Sequence, residues 1–140
     1  MGGFFRLNEK LEQEIINFLI EKVSPFFIVI FGSFAKGTIH SKSDIDIAFL
    51  SEKTFDTYIL FMIAEELAAK LGYDVDLIDL NQASTVFQAQ IVQTGKTIYC
   101  TNEHKKAEFQ IKALKMYAKL NEERSVILKK IEESGTIYEK

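Results

Sequence analysis

The chain has 140 residues, 47% of them hydrophobic and 26% charged, which fits one globular domain with enough length to bury a real core. Its single cysteine, Cys100, excludes an internal disulfide and a cysteine-built zinc site, and points to a reducing compartment. The net charge of −3 is uneven: residues 1–102 carry 8 basic and 13 acidic side chains, residues 103–140 carry 9 and 7, and an acidic body argues against direct binding to nucleic-acid backbone.

The first predicted element is a helix over Leu7–Lys22, with Leu11, Ile15, Phe18 and Leu19 at helical spacing. Pro25 ends it. Phe26–Phe31 is a short, continuous apolar run, the pattern of a strand buried on both faces. It is far too short to cross a bilayer. Gly32-Ser33 breaks the run; a helical turn over Phe34–Lys36 and a polar loop over Thr38–Ser43 are expected next. Asp44–Leu50 alternates as a second strand. Thr54–Lys70 reads as a helix closed by Gly72, and its segment Tyr58–Ala64 is apolar nearly all round, which calls for cover on more than one side, by its own core or by another chain. A third strand over Tyr73–Leu80, a helix over Ala83–Gln93 closed by Gly95 and a last strand over Thr97–Cys100 follow. Glu103–Glu133 reads as a long helix. Phe109, Ala113, Met116, Tyr117, Leu120, Ile127, Leu128 and Ile131 lie near one stripe, expected to be intramolecular core.

The order of elements predicts an α/β (α+β) fold, a small mixed sheet flanked by helices. A single domain over 1–140 is expected, with its core over about 7–100 and a C-terminal helix over about 103–133. There are no repeats, low-complexity tracts or linkers. The start Met1-Gly2-Gly3 is not a myristoylation signal, because Arg6 stands where Ser or Thr is needed. With no export signal and no membrane-length apolar run, the expected location is the cytoplasm.

Three short pieces carry chemistry. Gly32-Ser33 follows a buried strand, where glycine permits a sharp turn and a close approach to ligand, and where free N–H groups and a hydroxyl suit phosphate. Asp44-Ile45-Asp46 heads a strand, so its two carboxylates project to the same side and repel unless a cation lies between them. In Tyr73-Asp74-Val75-Asp76-Leu77-Ile78-Asp79-Leu80, an acid among apolar residues is costly unless paired or bound to metal. Asp76 lies deeper in that run than Asp74, which is expected to be solvated; Asp79 is placed to close the following turn. Taken alone, each piece is commoner as ordinary structure. Together they supply a phosphate-binding turn, a carboxylate pair and a third carboxylate on another strand, the requirements of two-metal phosphoryl or nucleotidyl transfer.

Gly32-Ser33, ten residues, then Asp44-Ile45-Asp46 resembles the signature of the polymerase-β nucleotidyltransferase superfamily. The wider string, Phe31-Gly32-Ser33-Phe34-Ala35-Lys36-Gly37 followed by Ser43-Asp44-Ile45-Asp46, is similar to its minimal (MNT) branch. That branch includes antitoxins paired with HEPN-domain toxins. Val75-Asp76-Leu77 is similar to the strand bearing the family's third acid. One departure is Lys36, where the branch more often has Arg; the charge is kept but bidentate phosphate binding is lost.

The resemblance implies a polymerase-β-like nucleotidyltransferase fold and transfer of AMP from ATP. It implies that Gly32, Ser33 and Lys36 hold the triphosphate, that Asp44 and Asp46 bind two Mg²⁺ ions, and that Asp76 completes one metal shell and orients or deprotonates the acceptor hydroxyl. It further implies that the acceptor is a tyrosine of a HEPN-type toxin, and the shortness of the chain, which leaves no separate acceptor-binding domain, fits a shared acceptor site. Two alternatives stay open: an antibiotic-type enzyme acting on a small molecule and completing its site as a homo-oligomer, and a non-catalytic protein that sequesters a partner. Among the remaining residues, His40 and His104 are expected in solvent and Cys100 buried and inert. Lys42 is left open between neutralising the acids and meeting phosphate.

Overall fold

The computed structural model describes residues 2–32 and 44–134. The expected turn over Phe34–Lys36, the loop over Thr38–Ser43, and the residues Ser33, Lys36, His40 and Lys42 lie outside the described residues. In chain order the elements are α1 (Gly2–Val23), β1 (Phe27–Phe31), β2 (Ile45–Leu50), α2 (Thr57–Leu71), β3 (Val75–Asp79), α3 (Thr85–Thr94), β4 (Lys96–Cys100) and α4 (Glu103–Glu133). The four strands form one sheet in the order β3-β2-β1-β4. β1 pairs antiparallel with β2 and β4, and β2 pairs parallel with β3, so the sheet is mixed as expected.

The continuous apolar character of β1 has a simple cause: both faces of the sheet are covered. Ile28 and Ile30, with Ile45, Ile47, Phe49 and Leu77, pack against α1 and α2. Phe27 and Val29, with Ala48, Leu50 and Leu80, form the core of the other face with Ile91 of α3 and Phe109 of α4. α1 contributes Leu11, Ile15, Phe18, Leu19 and Val23, the residues its periodicity singles out.

The helix ends follow local chemistry. The Asp56 carboxylate accepts from the Tyr58 amide at 2.7 Å and starts α2. Gly72 ends α2 in the left-handed conformation at φ 79°, donating to the Ala68 carbonyl at 2.9 Å. Ser84 and Asn102 cap α3 and α4 in the same way as Asp56.

Two helices are only partly covered within the chain. In α2, Ile63, Ala64 and Leu67 are buried, but Tyr58, Ile59, Phe61 and Met62 are exposed; the protein's own core takes one side only. In α4, Ala113 is buried and Phe109, Tyr117 and Leu120 are half-buried, while Met116, Ile127, Leu128 and Ile131 are exposed. The expectation of an intramolecular core along the whole stripe is therefore wrong for its far half. The reason is length: 31 residues of helix reach about 46 Å, whereas five- and six-residue strands span only about 20 Å, leaving nothing beneath the second half. Cys100 is half-buried rather than buried.

Asp79 shows how one end of the sheet is fastened. It is buried, and its carboxylate accepts from the Phe55 amide at 2.9 Å, the Asn81 amide at 3.0 Å and Gln82 Nε2 at 3.1 Å. Asn81 Nδ2 in turn donates to the Ser51 carbonyl at 3.0 Å, and Ser51 Oγ donates to the Val23 carbonyl at 2.7 Å. Asp79 thus closes its own turn, as expected, and also pins the connection from β2 to α2. Asp79→Ala should destabilise the fold by about 1–3 kcal/mol for each buried donor it strands. Denaturant unfolding checks this, and a change below about 0.5 kcal/mol would rule out the structural role.

Candidate active site

Gly32, Asp44, Asp46 and Asp76 meet at the opposite end of the sheet from Asp79. Phe31, the last residue of β1, pairs with Asp46, and Asp46 pairs with Asp76 in the parallel β2–β3 register. Paired residues in neighbouring strands project to the same face, so the Asp46 and Asp76 side chains stand together. They share the face of Ala48 and Leu80, towards α3 and α4, just beyond the apolar core. Asp44 lies one residue before β2, exposed, two residues from Asp46.

Gly32 closes the site from the β1 side. Its φ of +71° is in the left-handed region, which an L side chain rarely adopts. A Cβ placed on it would also collide with Asp46 Oδ2. The left-handed turn favours glycine here, and any side chain at this position would have to displace the Asp46 carboxylate.

The electrostatics match this geometry. Asp46 is half-buried, and its pKa is raised above the ordinary carboxylate value, first by burial, then by the charges of Asp76 and Asp44. The reason for preferring Asp76 over Asp74 needs correcting: both are exposed, because β3 is the edge strand. Register separates them instead. Asp76 is directly opposite Asp46, whereas Asp74 lies outside β3 and its carbonyl accepts from the Ile45 amide at 2.8 Å. Phe31 and Phe87, which sequence reasoning did not single out, meet edge to face at 5.7 Å and form an apolar floor beside Asp46. Their signal was available only as two aromatics on elements adjacent in the fold.

The donor set suits a hard divalent cation. Three carboxylates, one of them partly buried and held against its neighbours' charge, are the oxygen donors Mg²⁺ takes alongside substrate phosphates. Among the described residues, no three acidic, histidine or cysteine side chains close up into a metal-holding group.

Comparison with known proteins identifies the family. Residues 13–104 match the family described as polymerase beta, nucleotidyltransferase. The chain belongs to that family. It is 40% identical over 118 residues to the protein adenylyltransferase MntA of Shewanella oneidensis, covering 84% of each. It is similar to a chain of the crystal structure of a toxin–antitoxin with AMP-PNP, with 39% identity, a TM-score of 0.78 and coverage of 86% of this chain and 97% of that one. It is also similar to a chain of the structure of tri-AMPylated Shewanella oneidensis HEPN toxin in complex with MNT antitoxin, with 34% identity, a TM-score of 0.76 and coverage of 89% and 98%. The expected polymerase-β-like fold is therefore the observed one. As a nucleotidyltransferase the chain has its acids at the end of the sheet where β1 finishes and β2 and β3 begin.

Gly32→Ala should cost about 1–2 kcal/mol in backbone conformation alone and push the Asp46 carboxylate out of place. Denaturant unfolding reads the first effect and transfer activity the second; a variant with native stability and full activity would remove Gly32 from the site. In the metal-free protein the raised pKa of Asp46 makes a second prediction. Protonation of Asp46 favours the folded state, a contribution fully present below the unfolded carboxylate pKa and lost as pH rises through the higher folded value. At neutral pH, metal-free Asp46→Asn should therefore melt above the wild type, with the difference closing on acidification. Equal melting temperatures at pH 7 and at pH 4 would contradict this.

Proposed function

We propose that this nucleotidyltransferase transfers AMP from ATP to a tyrosine hydroxyl of a HEPN-type toxin and thereby acts as its antitoxin. The observation that carries the reading is the register that sets Asp76 opposite Asp46, with Asp44 adjacent and Gly32 against the Asp46 carboxylate. The names of its relatives give the donor and the acceptor: a protein adenylyltransferase, a toxin–antitoxin with an ATP analogue, and an AMPylated HEPN toxin with its MNT antitoxin. The single cysteine and the absence of a membrane-crossing helix among the described residues fit action in the cytoplasm.

In this mechanism Gly32, Ser33 and Lys36 hold the triphosphate. Asp44 and Asp46 would hold Mg²⁺, two ions by the resemblance, and Asp76 would contribute to one of them. When bound, the ions neutralise phosphate charge and polarise the α-phosphate. Asp76 accepts the acceptor's hydroxyl proton on a carboxylate oxygen. The acceptor oxygen forms a bond to the α-phosphorus, the α–β bridge bond breaks, and pyrophosphate leaves with the electron pair. AMP on a tyrosine adds bulk and negative charge, which would hinder a toxin's approach to RNA.

The test is mass spectrometry of a cognate HEPN protein after incubation with ATP and Mg²⁺. One or more AMP additions on tyrosine are expected, lost on chelation of the metal. Asp46→Asn and Asp76→Asn should each lower transfer at least about 100-fold, the scale seen when even the outer supports of metal ligands are removed, with the fold retained by circular dichroism. An unmodified HEPN protein, with transfer of AMP to an aminoglycoside-type small molecule instead, would overturn the acceptor.

A further inference from the structure

The far half of α4 is left without a partner inside the chain. Every residue from Asn121 to Ser134 is exposed, so about 21 Å of helix projects beyond the domain. Isolated helices of this length are marginal in water. This segment nevertheless continues the apolar stripe that Phe109 and Ala113 bury against the body. Leu120, Ile127 and Ile131 follow it at spacings of seven and four, with Leu128 alongside, and Ile127 and Leu128 are 57% and 60% exposed. Among the described residues, none of Lys119, Glu122, Glu123, Lys129, Lys130 and Glu133 takes part in an ion pair.

We propose that residues 120–134 of α4 pair with the same segment of a second copy, antiparallel about a two-fold axis near Val126. The order of charges carries the choice of occupant. Taking Leu120, Arg124, Ile127 and Ile131 as the seam, one edge of it bears Glu123 and Lys130, with Lys119 and Glu133 farther out. Read from either end, that edge alternates in the opposite sense, so reversing one copy sets unlike charges against each other. Glu123 meets Lys130 of the second copy and Lys130 meets its Glu123, while the Lys119 and Glu133 positions meet in the same crossed way. Antiparallel coiled helices bring like edges together, which makes the pattern self-complementary. A parallel pair would set Glu123 against Leu128 and gain nothing from these charges. Ile127 and Ile131 of each copy then pack on Arg124 and Leu120 of the other. The seam places Arg124 among apolar residues, a feature that weakens the pair and also fixes its register. The two bodies lie at opposite ends of the paired helices, with the acid sites outside the contact. The inference does not depend on which acceptor the enzyme uses.

Sedimentation of the full chain over a concentration series tests the proposal. The wild type should show a concentration-dependent dimer. Ile127→Asp should abolish it without changing the melting of the body. Glu123→Lys alone and Lys130→Glu alone each set like charges together and should shift the dimer midpoint at least tenfold to higher concentration. Mixing these two single variants restores both crossed pairs, so the mixture should re-form a dimer containing one of each. A wild type monomeric at every concentration, or single variants that dimerise as well as the wild type and do not re-pair on mixing, would overturn the proposal. So would α4 reversals that leave self-association unchanged and weaken only the complex with a HEPN protein, which would give the stripe to that partner.

Discussion

The placement of Asp46, half-buried and beside the charges of Asp76 and Asp44, is the constraint the rest of the fold has to contain. Asp46 cannot relax away, because it belongs to a strand with neighbours on both sides, Phe31 in β1 and Asp76 in β3. Its raised pKa shows that burial and neighbouring charge both weigh on it. A short sheet could slip or splay to relieve such a contact. Here β1 and β2 are buried on both faces, so a one-residue slip would send each buried side chain to the wrong layer. Close packing of the core thus holds together charges that would separate in water.

The two ends of the sheet divide the work. At one end Asp79 is buried and satisfied by three donors from Phe55, Asn81 and Gln82. At the other, Asp76, three residues earlier in the same strand, faces another acid and stays exposed. The difference lies in what each carboxylate meets. Asp79 meets backbone N–H groups that the turn has left without partners, and its charge is absorbed by hydrogen bonds. Asp76 meets Asp46, and its charge is left for something from outside. Fastening the far end lets the site end carry unsatisfied charge without loosening the fold.

Most of this was legible in the sequence because the determinants are local. The unbroken run from Phe27 to Phe31 signals a strand covered on both faces, and Gly72 and Pro25 mark element ends through their backbone preferences. The spacing of Asp44 and Asp46 places both on one side whatever the tertiary fold. What could not be read depends on partners distant in the chain. That Asp76 stands opposite Asp46 follows from parallel register, which alternation along β3 does not specify; depth in the apolar run, the ground for preferring Asp76 to Asp74, does not separate the two, since both are exposed. The cover on a helix is equally non-local. The stripe of α4 has the same periodicity over Phe109 and over Ile131, and only the length of the sheet decides where the core beneath it ends.

The uncovered face of α2 bears on how an acceptor reaches the acids. Tyr58, Ile59, Phe61 and Met62 lie in the first half of α2, and α2 packs on the sheet face opposite the one from which Asp46 and Asp76 project. The helix must run about 20 Å further, to Gly72, before the chain turns into β3 at the acid end. A protein held on that apolar face would therefore stand behind the sheet and at its far end, and would have to reach round the edge strand to present a hydroxyl. β3 is that edge, and Asp76 within it and Asp74 just before it are both exposed. The uncovered apolar side chains of α2 and the exposed acids are thus spatially separate on this chain.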